Sequence, residues 1–409
     1  MASSGNVSNY SSSVVCAGRS KKVLQKTLMK VFVVGVVVAI CVSVLGVLVL
    51  EPARAVTSSG NVFASSNNVP LLQYPEGITS WQNMVFVGTY NVVIPSNSRI
   101  FVFNASSGKL MRTIGGTPGT QLVSSGFLLG LTIDPNTGYL YAANNETGQI
   151  LQIINPISNN PRVSVYAQYP SGGGPEDLVF YKDGTLFATD SNTGLVYSIP
   201  PGGGKANLII GPSGSGAPVN DNGLLQSPLA GLSPNGIVFS LDWSTLYVAN
   251  TWSDSVIAFD VNSQGQIVND KNSPRVFAQN LNYDLEEYPT GFDGLDVLGK
   301  TQICSCASTP LNGPDGLALD SNGNIWAASN LGDNLTVLDR TGHVATTYGT
   351  SAVTQGGLMN QPSGMTFIGN TVYSSNLGIF TGLSGSPNLP FQVISFNAGV
   401  SGAGGNGNY

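Results

Sequence analysis

The chain has 409 residues, 42% of them hydrophobic and only 9% charged, with a formal net charge of −6. Fifty-one glycines, 23 prolines and 9% aromatics exclude a coiled coil, a helical bundle and a disordered chain, and point to an all-β protein that turns often. Beyond position 55 ten basic residues face 21 acidic ones, so nucleic acid is a poor partner and cations or neutral small molecules suit the surface better.

Residues 1–30 form a basic leader that carries Arg19, Lys21, Lys22, Lys26 and Lys30 and reads as disordered and cytoplasmic. Residues 31–50 (VFVVGVVVAICVSVLGVLVL) contain no charge over a length that spans a bilayer as one hydrophobic helix. Lysines before such a span keep the N-terminus inside and send the rest across. Two outcomes stay open. The span is retained as a signal-anchor, leaving the body membrane-anchored outside the cytoplasm, or it is a signal peptide cleaved after Ala55, leaving the body secreted. Residues 51–65 read as a linker, 66–398 as the folded body and 399–409 as a flexible Gly/Asn tail.

The body repeats. A Pro- or Gly-marked turn, a short apolar strand, a polar turn and a second strand ending in Asn or Asp recur. The copies are residues 130–144 (GLTIDPNTGYLYAAN), 175–190 (PEDLVFYKDGTLFATD), 234–250 (PNGIVFSLDWSTLYVAN) and 314–330 (PDGLALDSNGNIWAASN). Weaker copies open at Pro75 and Pro362, and a third, alternating strand follows at 150–154, 195–199, 255–259 and 335–338. Six such units predict a six-bladed β-propeller, because one blade cannot bury both of its faces alone. Residues 391–396 are expected to complete the last blade, beside an N-terminal strand near Asn61. An insertion at about 282–311 concentrates Asp284, Glu286, Glu287, Asp293 and Asp296 with Cys304 and Cys306, and reads as a lid or recognition loop. One intervening residue lets the two cysteines form a strained local disulfide, clip a soft metal or stay free.

Each innermost strand of a propeller starts at one mouth of the central channel. The residues at those starts are Glu76, Leu129, Glu176 with Asp177, Asn235, Asp315 and Ser363. Carboxylates that converge in a channel repel unless a cation or a shared proton neutralises them. Carboxylate and amide oxygens favour Ca²⁺, with Zn²⁺ or Mn²⁺ as alternatives. The only histidine, His343, sits in a turn-like loop far from any blade start, so nucleophilic chemistry that needs a histidine base is excluded.

The 234–250 and 314–326 segments resemble the regucalcin/gluconolactonase/strictosidine-synthase-like six-bladed propellers, relatives of NHL and YVTN-type repeat propellers. The resemblance implies one divalent metal held by Glu76, Asn235 and Asp315, with Asp315 also the candidate catalytic base. It places Glu176 and Asp177 on the channel lining, where Glu176 replaces the family's usual Asn. The function expected is that of an exported, metal-dependent hydrolase of a lactone or ester, in which Asp315 or Asp177 activates water. The alternative is a non-catalytic propeller that binds a cell-envelope or extracellular partner. With few titratable groups, stability is expected to vary little with pH.

Overall fold

The computed structural model describes residues 55–56, 60–91, 98–115, 126–170, 172–227, 231–269, 273–280, 310–349, 351, 357–379 and 389–404. The basic leader, the hydrophobic span at 31–50, most of the acidic insertion and both Cys304 and Cys306 lie outside these residues. Among the described residues no helix is long and apolar enough to cross a membrane.

Among the described residues six sheets follow one another in chain order, each built on four antiparallel strands, and three of them add a short parallel strand at the outer edge. Blade 1 comprises Pro75–Trp81, Met84–Thr89, Ile100–Asn104 and Leu110–Ile114. Blade 2 runs from Leu128–Ile133 to Arg162–Gln168, blade 3 from Pro175–Phe180 to Asn207–Gly211, and blade 4 from Ile237–Phe239 to Arg275–Gln279. Blade 5 runs from Pro314–Leu319 to Val344–Tyr348. Blade 6 takes Pro362–Ile368, Thr371–Asn376 and Gln392–Asn397 from the C-terminal end, and its outer strand, Asn61–Ser65, from the N-terminal end. The ring therefore closes by pairing the two ends of the body, which removes the open edge a linear stack would leave.

Alternation explains why the blades stack. In blade 1, Phe86, Ile100 and Val102 pack toward blade 2, while Val85, Val87, Phe101 and Phe103 pack toward blade 6. A strand whose side chains alternate between two apolar faces must be covered on both sides. Six buried clusters result, one at each seam between neighbouring blades. Trp326 is fully buried at the seam of blades 5 and 6, stacked on Tyr348 at 4.8 Å and edge-on to Phe367 at 5.3 Å, with its indole N–H donated to Asp320 at 3.1 Å.

Residues 61–65, at the end of the segment read as a linker, form the N-terminal strand expected near Asn61, because the last blade supplies only three strands of its own. The tail packs as far as Gly404: the Ser321 amide donates to the Ser401 carbonyl at 2.8 Å and the Ala403 amide to that of Leu319 at 2.9 Å, so backbone pairing with blade 5 holds a segment that composition alone marked as loose.

Candidate functional site in the central channel

Each blade opens on a two-residue unit that breaks the regular ladder. In blades 1, 2, 3, 5 and 6 the pairing of the first and second strands shifts register just after the opening residue, between Pro75 and Ile78, Leu128 and Leu131, Pro175 and Leu178, Pro314 and Leu317, and Pro362 and Met365. A bulge of this kind re-aims one side chain. Here the re-aimed positions are Glu76, Leu129, Glu176, Asn235, Asp315 and Ser363. The second residue of the unit is Gly in five blades (Gly77, Gly130, Gly236, Gly316, Gly364) and Asp177 in blade 3. A Cβ at Gly316 would lie 2.6 Å from the Ser363 carbonyl oxygen, and one at Gly364 2.8 Å from that of Glu76. At Gly77 and Gly236 it would fall onto the carbonyl oxygens of Leu129 and Asp315. These glycines let adjoining innermost strands touch backbone to backbone, which keeps the channel narrow.

The opening side chains line one cavity of about 30 Å³, with Glu76, Glu176, Asp177, Asn235, Asp315 and Ser363 on its wall. That is room for an ion or one or two waters. Glu76, Glu176, Asn235 and Asp315 are each 6% exposed. Among the described residues no Lys, Arg or His lines the cavity.

The carboxylates differ in how they are held. Glu176 accepts on Oε2 from the Ser191 hydroxyl at 2.5 Å and from the Asn145 amide at 3.4 Å. Asp315 accepts on Oδ2 from Asn330 at 3.1 Å and is also bonded by the Asn235 side chain. Asp177 spends both oxygens on backbone, Oδ1 on the Leu178 amide at 2.9 Å and Oδ2 on the Ile237 amide at 3.1 Å. Glu76 Oε2 and Asp315 Oδ1 are buried without a hydrogen-bond partner. Ser363 turns away from the centre: its hydroxyl donates to the Pro75 and Glu76 carbonyls at 3.4 and 3.2 Å and staples the seam between blades 6 and 1.

Burial and mutual repulsion set the electrostatics. Glu76 is pushed well above the usual carboxylate range by burial first, then by Asp315, Glu176 and Asp177. Glu176 moves the same way through burial, against the pull of Ser191 and with the push of Asp315 and Asp177. Asp315 is raised by burial and Asp177, against the bonds from Asn235 and Asn330. Asp177 is raised to about 7 by burial, although its two backbone amides oppose the shift. Four raised carboxylates contradict the expectation of a flat pH dependence, since what counts is the environment of the few acids present and not their number.

A second tier of residues went unrecognised in the sequence. Tyr90, Asn145, Ser191, Thr251 and Asn330 each follow the last residue of a second strand. Asn145, Thr251 and Asn330 donate to the Pro175, Pro314 and Pro362 carbonyls of the next blade at 3.4, 2.8 and 3.3 Å. Tyr90 is raised to about 12 by burial and then by Glu176, Glu76 and Glu146, which places it in the field of the centre. The available signal was the alternation itself: Asn144, Asp190 and Asn250 end second strands, and the residue after each points the other way. Asp190 caps its turn, accepting on Oδ1 from the Gly174, Asn192 and Thr193 amides. His343 lies in an exposed turn and its amide donates to Asp339 at 3.1 Å.

The family model described as the SMP-30/gluconolactonase/LRE-like region matches residues 91–369. The chain belongs to this family. No curated protein matches it in sequence. Among solved structures, the SMP-30/gluconolactonase-like chain is similar to a calcium-binding protein, regucalcin, from Agrobacterium tumefaciens, with a TM-score of 0.55 and 16% identity over 86% of this chain and 97% of that one. It is similar to a protein of unknown function from Bacteroides thetaiotaomicron, with a TM-score of 0.53 and 13% identity over 83% of this chain and 72% of that one. It is also similar to a luciferin-regenerating enzyme, with a TM-score of 0.50 and 13% identity over 82% and 93% of the two chains. These likenesses establish the six-bladed fold. Among the described residues no group of three or more His, Cys, Asp and Glu side chains is arranged to hold an ion by itself.

Proposed function

We propose that this protein is an exported hydrolase of a lactone or ester that works with a divalent cation, Ca²⁺ before Zn²⁺ or Mn²⁺, in the central channel. The observation that carries the reading is the pair of bare, buried carboxylate oxygens, Glu76 Oε2 and Asp315 Oδ1, on the wall of one small cavity that no basic residue lines among the described residues. Buried anionic oxygens without partners are costly, and a hard cation is the counter-charge their chemistry fits. Glu76, Asp315 and the Asn235 side-chain oxygen would hold it. A bound cation would polarise the substrate carbonyl and lower the pKa of a water beside it.

The chain's own residues do the rest. Asn330 and Asn235 fix Asp315 through hydrogen bonds, so its carboxylate keeps its position on the cavity wall and would take the proton from the attacking water. Glu176, fixed by Ser191, lines the same cavity and adds to its negative charge. Ile78, Leu131, Leu178, Ile237, Leu317 and Met365, with the glycine tier, line the rest of the cavity and limit the water that reaches the centre. Export by the span at 31–50, with the propeller anchored outside the cytoplasm or released after Ala55, belongs to the same proposal, as does a small-molecule substrate in preference to a cell-envelope partner. The test is the metal content of the purified protein together with a lactone and ester panel. Stoichiometric divalent metal and hydrolysis, both lost in Asp315→Ala, support the reading. A metal-free protein with no thermal response to divalent ions and no hydrolysis refutes it.

A further inference from the structure

Asp177 is the exception in the inner tier. Five blades place glycine there and join neighbouring strands through backbone, as where the Gly236 amide donates to the Asp315 carbonyl at 3.0 Å across the seam of blades 4 and 5. At the seam of blades 3 and 4 a side chain carries the link. Asp177 Oδ2 accepts the Ile237 amide at 3.1 Å, and Oδ1 accepts the Leu178 amide at 2.9 Å. Thr189 completes the arrangement: its hydroxyl accepts from the Asp177 amide at 3.0 Å and donates to the Asn235 carbonyl at 2.7 Å. The backbone on both sides of Gly236 is thus tied to blade 3, at Asn235 through Thr189 and at Ile237 through Asp177. Gly130 makes the room, since a Cβ there would lie 2.6 Å from Asp177 Oδ1.

We infer that Asp177 and Thr189 act as one positioning device that holds Asn235 in the cation-binding arrangement, and that Asp177 is not the base of the reaction. The inference rests on the cation reading above but makes a separate claim about which residue does what. Each Asp177 oxygen is engaged by a backbone amide, whereas Asp315 Oδ1 on the same cavity wall has no hydrogen-bond partner, so the open acceptor belongs to Asp315. A clamp needs two fixed ends on the element it positions, and Asn235 and Ile237 are those ends. Loss of a residue that orients a metal ligand typically weakens metal binding by about 10- to 100-fold.

The experiment compares Asp177→Asn, Thr189→Val, Thr189→Ser and their combinations in the full chain. It uses Ca²⁺ titration by calorimetry, ester or lactone kinetics at saturating Ca²⁺, and amide hydrogen exchange at Ile237. The expected result is a fall in Ca²⁺ affinity of about 10- to 100-fold in Asp177→Asn and Thr189→Val, with near-wild-type affinity in Thr189→Ser, which keeps the hydroxyl. The double variant should lose little beyond either single one, because both break the same device. At saturating Ca²⁺ kcat should return to within about threefold of wild type, and Ile237 exchange should quicken in Asp177→Asn. A drop in kcat of two orders of magnitude or more at saturating Ca²⁺, with unchanged affinity, would make Asp177 the base and overturn the inference. So would unchanged exchange at Ile237. If wild type binds no cation while Ile237 exchange responds as stated, the cation reading falls and the clamp survives as a purely structural seam.

Discussion

The cluster of raised carboxylates makes the metal-free protein sensitive to pH in a direction opposite to ordinary acid denaturation. A carboxyl group whose pKa is higher folded than unfolded favours the folded state in its neutral form. That contribution is complete below the unfolded value near 4 and is lost as pH climbs through the folded value. For Asp177 the window runs from its usual 3.8 to about 7, a loss of at most about 4 kcal/mol at about 1.4 kcal/mol per pH unit. Glu76, Glu176 and Asp315 shift in the same direction and extend the loss. At roughly 1–2 °C per kcal/mol for a domain of this size, raising the pH from about 4 to about 8 in chelator should lower the melting temperature by about 4–8 °C or more. Millimolar Ca²⁺ at the higher pH should recover most of the loss. Glu76→Gln and Asp315→Asn remove a charge from an oxygen that has no partner to lose, so each should raise the chelated melting temperature at pH 8 and abolish the response to Ca²⁺. Differential scanning calorimetry across this pH range, with and without chelator, is the measurement. A chelated melting temperature that stays level or rises over the range would refute the reasoning about repulsion.

Other consequences are equally direct. Gly77→Ala and Gly236→Ala place a methyl group on a neighbouring carbonyl oxygen, so each should cost at least about 1–3 kcal/mol in denaturant unfolding, and Gly364→Ala, with 2.8 Å of clearance, should cost less. Trp326→Ala empties a fully buried seam and removes one of the donors to Asp320, which predicts a loss of about 3–5 kcal/mol by the same assay. Ser191→Ala removes a hydrogen bond that pulls the Glu176 pKa down, so Glu176 should ionise at higher pH, read from its side-chain carboxyl resonance in a pH titration. Deletion of residues 1–66 removes the outer strand of blade 6, so the truncated protein should melt lower and associate through the bare edge, visible in light scattering.

The two levels of description divide cleanly over particular residues. The Pro-x-Gly units, the alternating strands after them and the strand-ending Asn and Asp residues made the six blades legible, because repeats write the same local physics into the chain several times. The same units pointed to Glu76, Glu176, Asn235 and Asp315, which do line one cavity. Asp177 and Ser363 show the limit. Each stands in a blade-opening unit like the others, yet Asp177 binds the backbone of the next blade and Ser363 staples the closing seam. For Tyr90, Asn145, Ser191 and Asn330 the alternation gives only the side they face, because their part in the centre depends on a neighbouring blade that arrives only on ring closure. Local propensity and periodicity are properties of a few successive residues and survive in one dimension. Hydrogen-bond partners some 40 to 300 residues apart, and the field that four acids from three blades impose on one another, exist only after the ring has closed.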